Sequence, residues 1–570
     1  MIKKLVLLTF LALLSVPLVF KGMSWYTPDA ARAEMVAPPG FLTPEVVDGM
    51  RNAREYVYKD AKGNIGASPA LRSDDFAAKE RIEVDYKRLG AGLYFYNYLR
   101  HYYLCAGDPD ETGVMAAFAT MKPAKLDFNP HYYVYGNLYI FPMAAYIKAA
   151  GLLKQLNLTS DMSYYFSNPG EMGKIYIAAR SYGAVVGLVA LAVLGLFILR
   201  TTGSLALAGL ALGFILSSPI LVLISKLIKP HFAVMLPATG VLIMTHEYLR
   251  LRSAKYLYWA MAMCGLAGSM VINTSVILLL PLLACRLTDY KRVFKGLLIF
   301  AVVMLACSPY WWVNLTETLA DYKIVAAMAK GSTIYGLINF WYLAKYGLGP
   351  AAAALFVFSA AAALLRYRKL SDFQKVLLKF LLATTLLSSG AIAIPSTSRW
   401  VLFMLPLYLY FSVIVLNEHR RFIPVFACLL PFAVWNAARY ATYCTSDARP
   451  QTSTRMQAGA WVNSAIPGAS IGTLYDLVPW SFPPIRLADH RLLVYNGIQH
   501  LFADKTPPDY MLLIGPQEAY FTPEHRLEFS RRYALEKEFS HVPELMTESW
   551  RLNEANLTVK AYRRTAVKPG

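Results

Sequence analysis

Charge is scarce in this chain. Asp, Glu, Lys and Arg make up 16% of its 570 residues, against 56% that are hydrophobic. A soluble protein carries about a quarter charged residues, so an ordinary water-soluble domain is excluded. Cysteine is sparse as well: six residues and no CxxC pair, which removes zinc-ribbon and thioredoxin-like readings. Cys264, Cys285, Cys307 and Cys428 lie in apolar segments and read as inert core residues. Cys105 and Cys444 fall in segments expected outside the membrane, which leaves a disulfide between them open. No internal repeat or low-complexity tract is visible. Acidic residues are outnumbered by basic ones, 36 to 56, for a net charge of +20. Nucleic-acid binding does not follow, because the basic residues sit in short loops between apolar runs, as topology signals do.

What the chain has in abundance is apolar segments. A helix needs roughly 20 apolar residues to cross the hydrocarbon core. The first candidate is 5–20, behind Lys3 and Lys4, read as an uncleaved helix in preference to a signal peptide, since the nearest small-x-small site, Ala31-Arg32-Ala33, is distant from it. Residues 131–153 form a Tyr-rich apolar stretch that reads as an interfacial helix. Further segments lie near 175–199, 203–225, 231–248, 256–272, 273–285, 293–308, 347–365, 376–394, 400–416 and 422–438. Arg200, the Arg250–Lys255 cluster, the 286–295 cluster, the 366–369 cluster and Arg420-Arg421 mark every second loop as basic. Placing those loops in the cytoplasm gives about eleven transmembrane helices, N-terminus inside and C-terminus outside.

The predicted fold class is therefore mainly α: a polytopic membrane helical bundle (1–438) with a small extracytoplasmic α/β C-terminal domain (439–570). In the latter, 459–465 reads as the end of a helix, Ile466-Pro467-Gly468-Ala469 as a turn, and 470–474, 510–514 and 557–562 as strands. Four regions face outside: 21–174, the short loop 225–231, 309–346, and everything after 439.

Within the first of these, Asp108-Pro109-Asp110-Glu111 puts three carboxylates within four residues, close to a bilayer. Mutual repulsion makes such groups bind protons more readily than in water. The bland reading is a helix N-terminus, with Asp110 as its cap. Asn129-Pro130-His131-Tyr132-Tyr133-Val134-Tyr135-Gly136 follows. Cations that defy the charge rule also belong to the outer face: Lys226 and Lys229 around His231, Arg180 near the start of its helix, and Arg399 in Ser398-Arg399-Trp400. Lysines there can simply snorkel to the headgroups. Cations opposed to carboxylates suit an anionic lipid headgroup such as a polyprenyl phosphate, which arginine grips with a planar fork and lysine as a point charge. Asp321 and Lys323 read as a solvated ion pair, and Trp311 and Trp312 as interface anchors.

These motifs resemble the bacterial GT-C glycosyltransferases, in the broad group of protein O-mannosyltransferases and lipid A aminoarabinose transferases. The resemblance begins at Asp108-Pro109-Asp110-Glu111, continues through Met121-Lys122-Pro123, Leu126–His131 and the Tyr135–Tyr139 run, then Ala179-Arg180-Ser181, Lys229-Pro230-His231, and Arg399-Trp400 with Leu405-Pro406. It covers roughly 100–440. His231 stands where many members have an aspartate. The resemblance implies a sugar transferred from a polyprenyl-phosphate carrier to a lipid, glycan or protein acceptor, with Asp110 as base and Glu111 and Asp108 beside it. Arg399, Lys229, Lys226 and Arg180 would then hold the donor phosphate, and His231, His131 and Tyr135 would border the cavity. A divalent metal, with Glu111 and His231 as candidate ligands, stays open. A transporter or flippase of envelope precursors and an O-antigen ligase or polymerase are the rival functions.

Overall fold

The computed structural model describes residues 1–63, 80–330, 336–389, 395–474, 476–541 and 556–565. Parts of the outer regions 21–174 and 309–346 and of the apolar segment 376–394 lie outside the described residues. The described residues are mostly helical, with one small sheet among them. Among the described residues, four helices are long and apolar enough to cross a bilayer: Ile2–Phe20, Pro169–Thr202, Ser398–Glu418 and Arg420–Ser446. A fifth span arises if Asn339–Leu348 and Pro350–Leu365, bent by 113° at their junction, count as one.

Eleven uninterrupted spans are not found among the described residues, and the reason is local. Ser217-Ser218-Pro219 splits one predicted segment into the helices Leu205–Leu216 and Pro219–Ile224, because proline fits the first turn of a new helix and not the interior of an old one. The weak boundary near Asn273 is a 3-10 stretch, Ile272–Leu278, leading into Leu279–Ala284. Met235–Leu251 and Ala254–Met270 are present but stop at 17 residues. Tyr290–Cys307 carries Lys291, Arg292 and Lys295 in its first turns.

The membrane character rests on which face of these helices is covered. In Arg420–Ser446 only 11% of the most apolar stretch is buried, leaving Val425, Phe432 and Trp435 on the surface. An apolar face of that length has no place in water and is at home against lipid chains.

The chain divides into two compact units, and neither is a single stretch of sequence. The first comprises Met1–Met23, Ala117–Tyr146 and Ala179–Thr442. Small residues let its helices approach: a side chain at Gly265 would put a Cβ 2.8 Å from the Phe300 carbonyl oxygen. At Gly136 a Cβ would stand 1.7 Å from the Ser269 carbonyl oxygen, so only glycine fits. Its N–H bonds the Met270 carbonyl (2.9 Å), and Ser308 Oγ accepts from the Asn137 N–H (3.1 Å) while donating to Ser269 O (2.7 Å). Three of the basic loops gather at one end, where Glu247 accepts from Arg200 (3.0 Å) and Arg250, and Asp372 from Arg252 (2.6 Å).

The second unit comprises Ser24–Ala116, Ile147–Ala178 and Tyr443–Gly570. It thus crosses the boundary that the sequence suggests at 438/439. Its sheet has six strands: β1 (Arg81–Asp85), β2 (Ser470–Thr473), β3 (Arg491–Tyr495), β4 (Tyr510–Ile514), β5 (Tyr533–Phe539) and β6 (Val559–Arg564), in the order β1-β3-β2-β4-β6-β5. The central β3, β2 and β4 are parallel and nearly all buried, as strands covered on both faces must be. The outer pairings, β1 with β3 and β6 with β4 and β5, are antiparallel. β1 comes from the early polar region. Arg491 Nε donates to Glu83 at 2.7 Å and Arg81 to Asp504 at 2.6 Å, fixing its register. The bond from Arg491 holds the Glu83 carboxyl below its ordinary range. Cys105 and Cys444 are both buried and are not joined in a disulfide.

Candidate functional site

The acidic motif belongs to the second unit. Arg32, fully buried, donates to the carbonyls of Tyr102 (Nε, 3.0 Å) and Cys105 (Nη2, 2.6 Å), fixing the chain just ahead of it. Gly107 then passes Tyr26 so closely that a Cβ would meet its ring at 2.7 Å. A helix follows, Pro109–Thr120. Its cap is Asp108, whose Oδ1 accepts from the N–H groups of Asp110 (3.0 Å) and Glu111 (3.3 Å). The capping role that the sequence allows Asp110 therefore falls to Asp108. Asp110 is half-buried and Glu111 buried, both in the first turn, where the helix dipole favours a negative charge.

The cations belong to the first unit, and the structure revises their setting. Residues 225–231 are not a water-facing loop: every residue from 210 to 235 is buried. Arg180 and Lys226 are both fully buried and converge on the end of the first helix. Arg180 Nη1 donates to Met23 O at 2.6 Å, and Lys226 Nζ to Val222 O at 2.7 Å and to Leu18 O. Helix ends leave carbonyls to be satisfied, and buried ammonium and guanidinium groups need such acceptors. Lys229 and His231 are buried as well, and the His231 ring meets Tyr135 edge-on at 6.2 Å. Arg399 is half-buried in the 3-10 segment Pro395–Met404.

His131 is placed elsewhere in the first unit. Its backbone is left-handed (φ 46°), with its N–H bonded to Asn129 Oδ1 at 3.1 Å, and its Nδ1 lies 3.9 Å from Glu317 Oε2. Glu317 also accepts from the Tyr133 hydroxyl at 2.6 Å, and Asp321 accepts from the Tyr133 N–H at 3.0 Å. Both carboxylates sit on the helix Leu315–Lys330, one turn apart. The sequence reading of Asp321 and Lys323 as a solvated pair fails because residues two apart on a helix point to different sides. Likewise Trp311 is buried against Tyr133, and only Trp312 is exposed. The signal that was available is the i, i+4 spacing of Glu317 and Asp321, which puts two carboxylates on one side of that helix.

Burial pushes the Asp321 carboxyl up to about 6; the Tyr133 N–H opposes this and Glu317 adds to it. A carboxyl with a folded pKa above its unfolded value stabilises the fold fully below about 4, and that contribution is lost as pH rises through about 6. Melting curves of the purified chain from pH 4 to 7 are expected to show this downward slope, and Asp321→Asn to flatten it. An identical slope in both proteins would remove Asp321 as its source.

No family model and no curated protein sequence matches the chain. Two solved structures are similar to it in part: ArnT from Cupriavidus metallidurans bound to undecaprenyl phosphate, and the same protein in the apo state. The first is 12% identical with a TM-score of 0.40, covering 97% of each chain. The second is 13% identical with a TM-score of 0.37, covering 75% of this chain and 88% of that one. Likeness at this level carries no inference about the site. Among the described residues, no group of three or more His, Cys, Asp or Glu side chains is gathered to hold a metal ion.

Proposed function

We propose that the chain is an integral membrane glycosyltransferase of the GT-C type, taking a sugar from a polyprenyl-phosphate carrier at the outer face of the cytoplasmic membrane. The observation that carries this is the burial of Arg180, Lys226 and Lys229 inside a unit built from apolar helices. Ionisable groups in that setting are costly, and proteins retain them for transport or catalysis. The motif order from Asp110 to Arg399 supports the same reading. The second unit, with its sheet, would lie outside the membrane.

In the proposed reaction Asp110 takes the proton of the acceptor hydroxyl or amine as that atom attacks the anomeric carbon. The bond from that carbon to the phosphate oxygen breaks, and the polyprenyl phosphate leaves with the electron pair. The leaving group is a weak base and needs positive charge, not a proton. Arg399, Lys229, Lys226 and Arg180 would supply it, while His231, His131 and Tyr135 would border the sugar. One in-line displacement inverts the anomeric centre.

A transporter is the reading favoured by one other observation, the 113° break between Asn339–Leu348 and Pro350–Leu365, since broken helices line transport sites. The two separate in proteoliposomes loaded with polyprenyl-phosphate sugar and membrane acceptor fractions. A transferase releases sugar-free polyprenyl phosphate and adds a sugar mass to an acceptor. Movement of intact carrier between leaflets, with no new product, would favour the transporter.

A further inference from the structure

Lys122 and Asp127 close a short finger in the first unit. Their backbones pair across its base, Lys122 N–H to Asp127 O at 2.7 Å and Asp127 N–H to Lys122 O at 3.2 Å. The 3-10 turn Pro123–Lys125 makes the tip, and Leu126 follows in the left-handed region, φ 56°. Asparagine and glycine are the residues that take this conformation readily, and a tip facing water would use one of them. Here a leucine takes it and stands 82% exposed, in one finger with the exposed Lys122 and Lys125. The apolar surface continues beyond the tip. Phe128 is 40% exposed, and its ring meets that of Phe141 at 6.4 Å. On the helix Asn137–Leu152, Leu138, Phe141, Pro142, Ala145 and Tyr146 recur at helical spacing on the side left wholly or partly uncovered, while Ile140 and Met143 are buried on the other.

Charge narrows the choice of partner. From residue 121 to 146 the sequence has one acidic side chain, Asp127, and this is half-buried and accepts from the Asn129 N–H at 3.1 Å. Lys122 and Lys125 also lie in a region expected outside, where the topology rule leaves lysine scarce. Water alone would leave the leucine and phenylalanine unanswered, and an apolar protein patch would leave the lysines so. The headgroup zone of an anionic bilayer answers both. Acyl chains take the apolar side chains, the lysine stems lie along them, and the ammonium groups reach lipid phosphates. We propose that the finger at 122–128 dips into the outer leaflet of the membrane, where Lys122 and Lys125 bind the headgroups of anionic phospholipids. The proposal is independent of the transferase reading.

The test reads the depth of the finger in the full chain and needs no turnover. The chain is placed in nanodiscs of phosphatidylcholine, alone or mixed with phosphatidylglycerol. A spin label is attached at Leu126→Cys in a parent whose exposed Cys428 is replaced by alanine, and the parent treated with the same label is the blank. Collisions with oxygen, which concentrates in the bilayer, are compared with collisions with a neutral nickel chelate, which stays in water. Oxygen contact with shielding from the chelate is expected. Phosphatidylglycerol is expected to raise the ratio of inserted to withdrawn finger about tenfold or more, the contribution of two lysines at an anionic surface. Lys122→Gln with Lys125→Gln should abolish that rise and leave the signal in phosphatidylcholine unchanged. Should Leu126→Cys not fold, Ala124→Cys carries the label on the same tip. Free access of the chelate in both lipid mixtures overturns the proposal. Shielding from both reagents overturns it too and gives the finger a protein partner. Equal depth with and without phosphatidylglycerol overturns the role of the two lysines.

Discussion

Asp110→Asn is expected to reduce sugar transfer by about a hundred- to ten-thousand-fold, the range a positioned general base supplies, while leaving the amount of folded protein unchanged. Two features make the substitution clean. Asp108, not Asp110, caps the Pro109–Thr120 helix, so the helix start does not depend on the Asp110 side chain. Asparagine has nearly the same shape, and its amide cannot take a proton at neutral pH. Asp108→Asn is the control: asparagine caps about as well as aspartate, so this variant should keep the helix and most of the activity. The readout is mass spectrometry of lipid-linked and acceptor-linked glycans from cells making each variant at equal level. One sugar mass disappearing from an acceptor, with polyprenyl-phosphate sugar accumulating, is the expected result for Asp110→Asn alone. Full transfer by Asp110→Asn would remove it as base, and equal loss in both variants would return the motif to a structural role.

Much of this was legible in the sequence, for reasons that can be named. The strands at 470–473 and 510–514 and the helix ending at Ala465 were readable because each is a short apolar or alternating run bounded by Pro, Gly or Asp. β1 was not, because Arg81–Asp85 carries three charged residues among its five and its partner lies some four hundred residues downstream. β5, Tyr-Ala-Leu-Glu-Lys-Glu-Phe, is rich in helix formers, and only pairing with β6 makes it extended. The cations at 180, 226 and 229 were identifiable by type and by their breach of the charge rule. Their burial was not, since the acceptors for Arg180 and Lys226 include the carbonyls of Met23 and Leu18, far away in sequence. The same holds for Glu317 and Asp321, whose partner Tyr133 is almost two hundred residues upstream.

Arg455→Met is expected to destabilise the second unit by about 3–5 kcal/mol, the cost of leaving a buried charge without its partner. Arg455 and Asp447 are both fully buried, 2.7 Å apart. Arg455 also donates to Pro479 O at 2.8 Å and stacks over Tyr26, its Cζ 3.5 Å from the ring centroid. Asp447 accepts from Ser453 Oγ at 2.9 Å and from the Asn556 N–H at 2.8 Å. The pair therefore ties the early segment at Tyr26, the start of the C-terminal part, and the approach to β6 into one network. Breaking it from one side strands a carboxylate. Breaking it from both, as Arg455→Met with Asp447→Asn, strands none: the asparagine oxygen still serves one of the two remaining donors, and methionine fills much of the arginine's volume. The double variant should recover a good part of the loss, with a coupling energy well above the few tenths of a kcal/mol expected of independent sites. Urea unfolding of the full chain, followed by far-ultraviolet signal from the sheet, reads both quantities. Additive losses in the double variant would mean that Arg455 acts through Tyr26 and Pro479, and that its charge pairing with Asp447 contributes little.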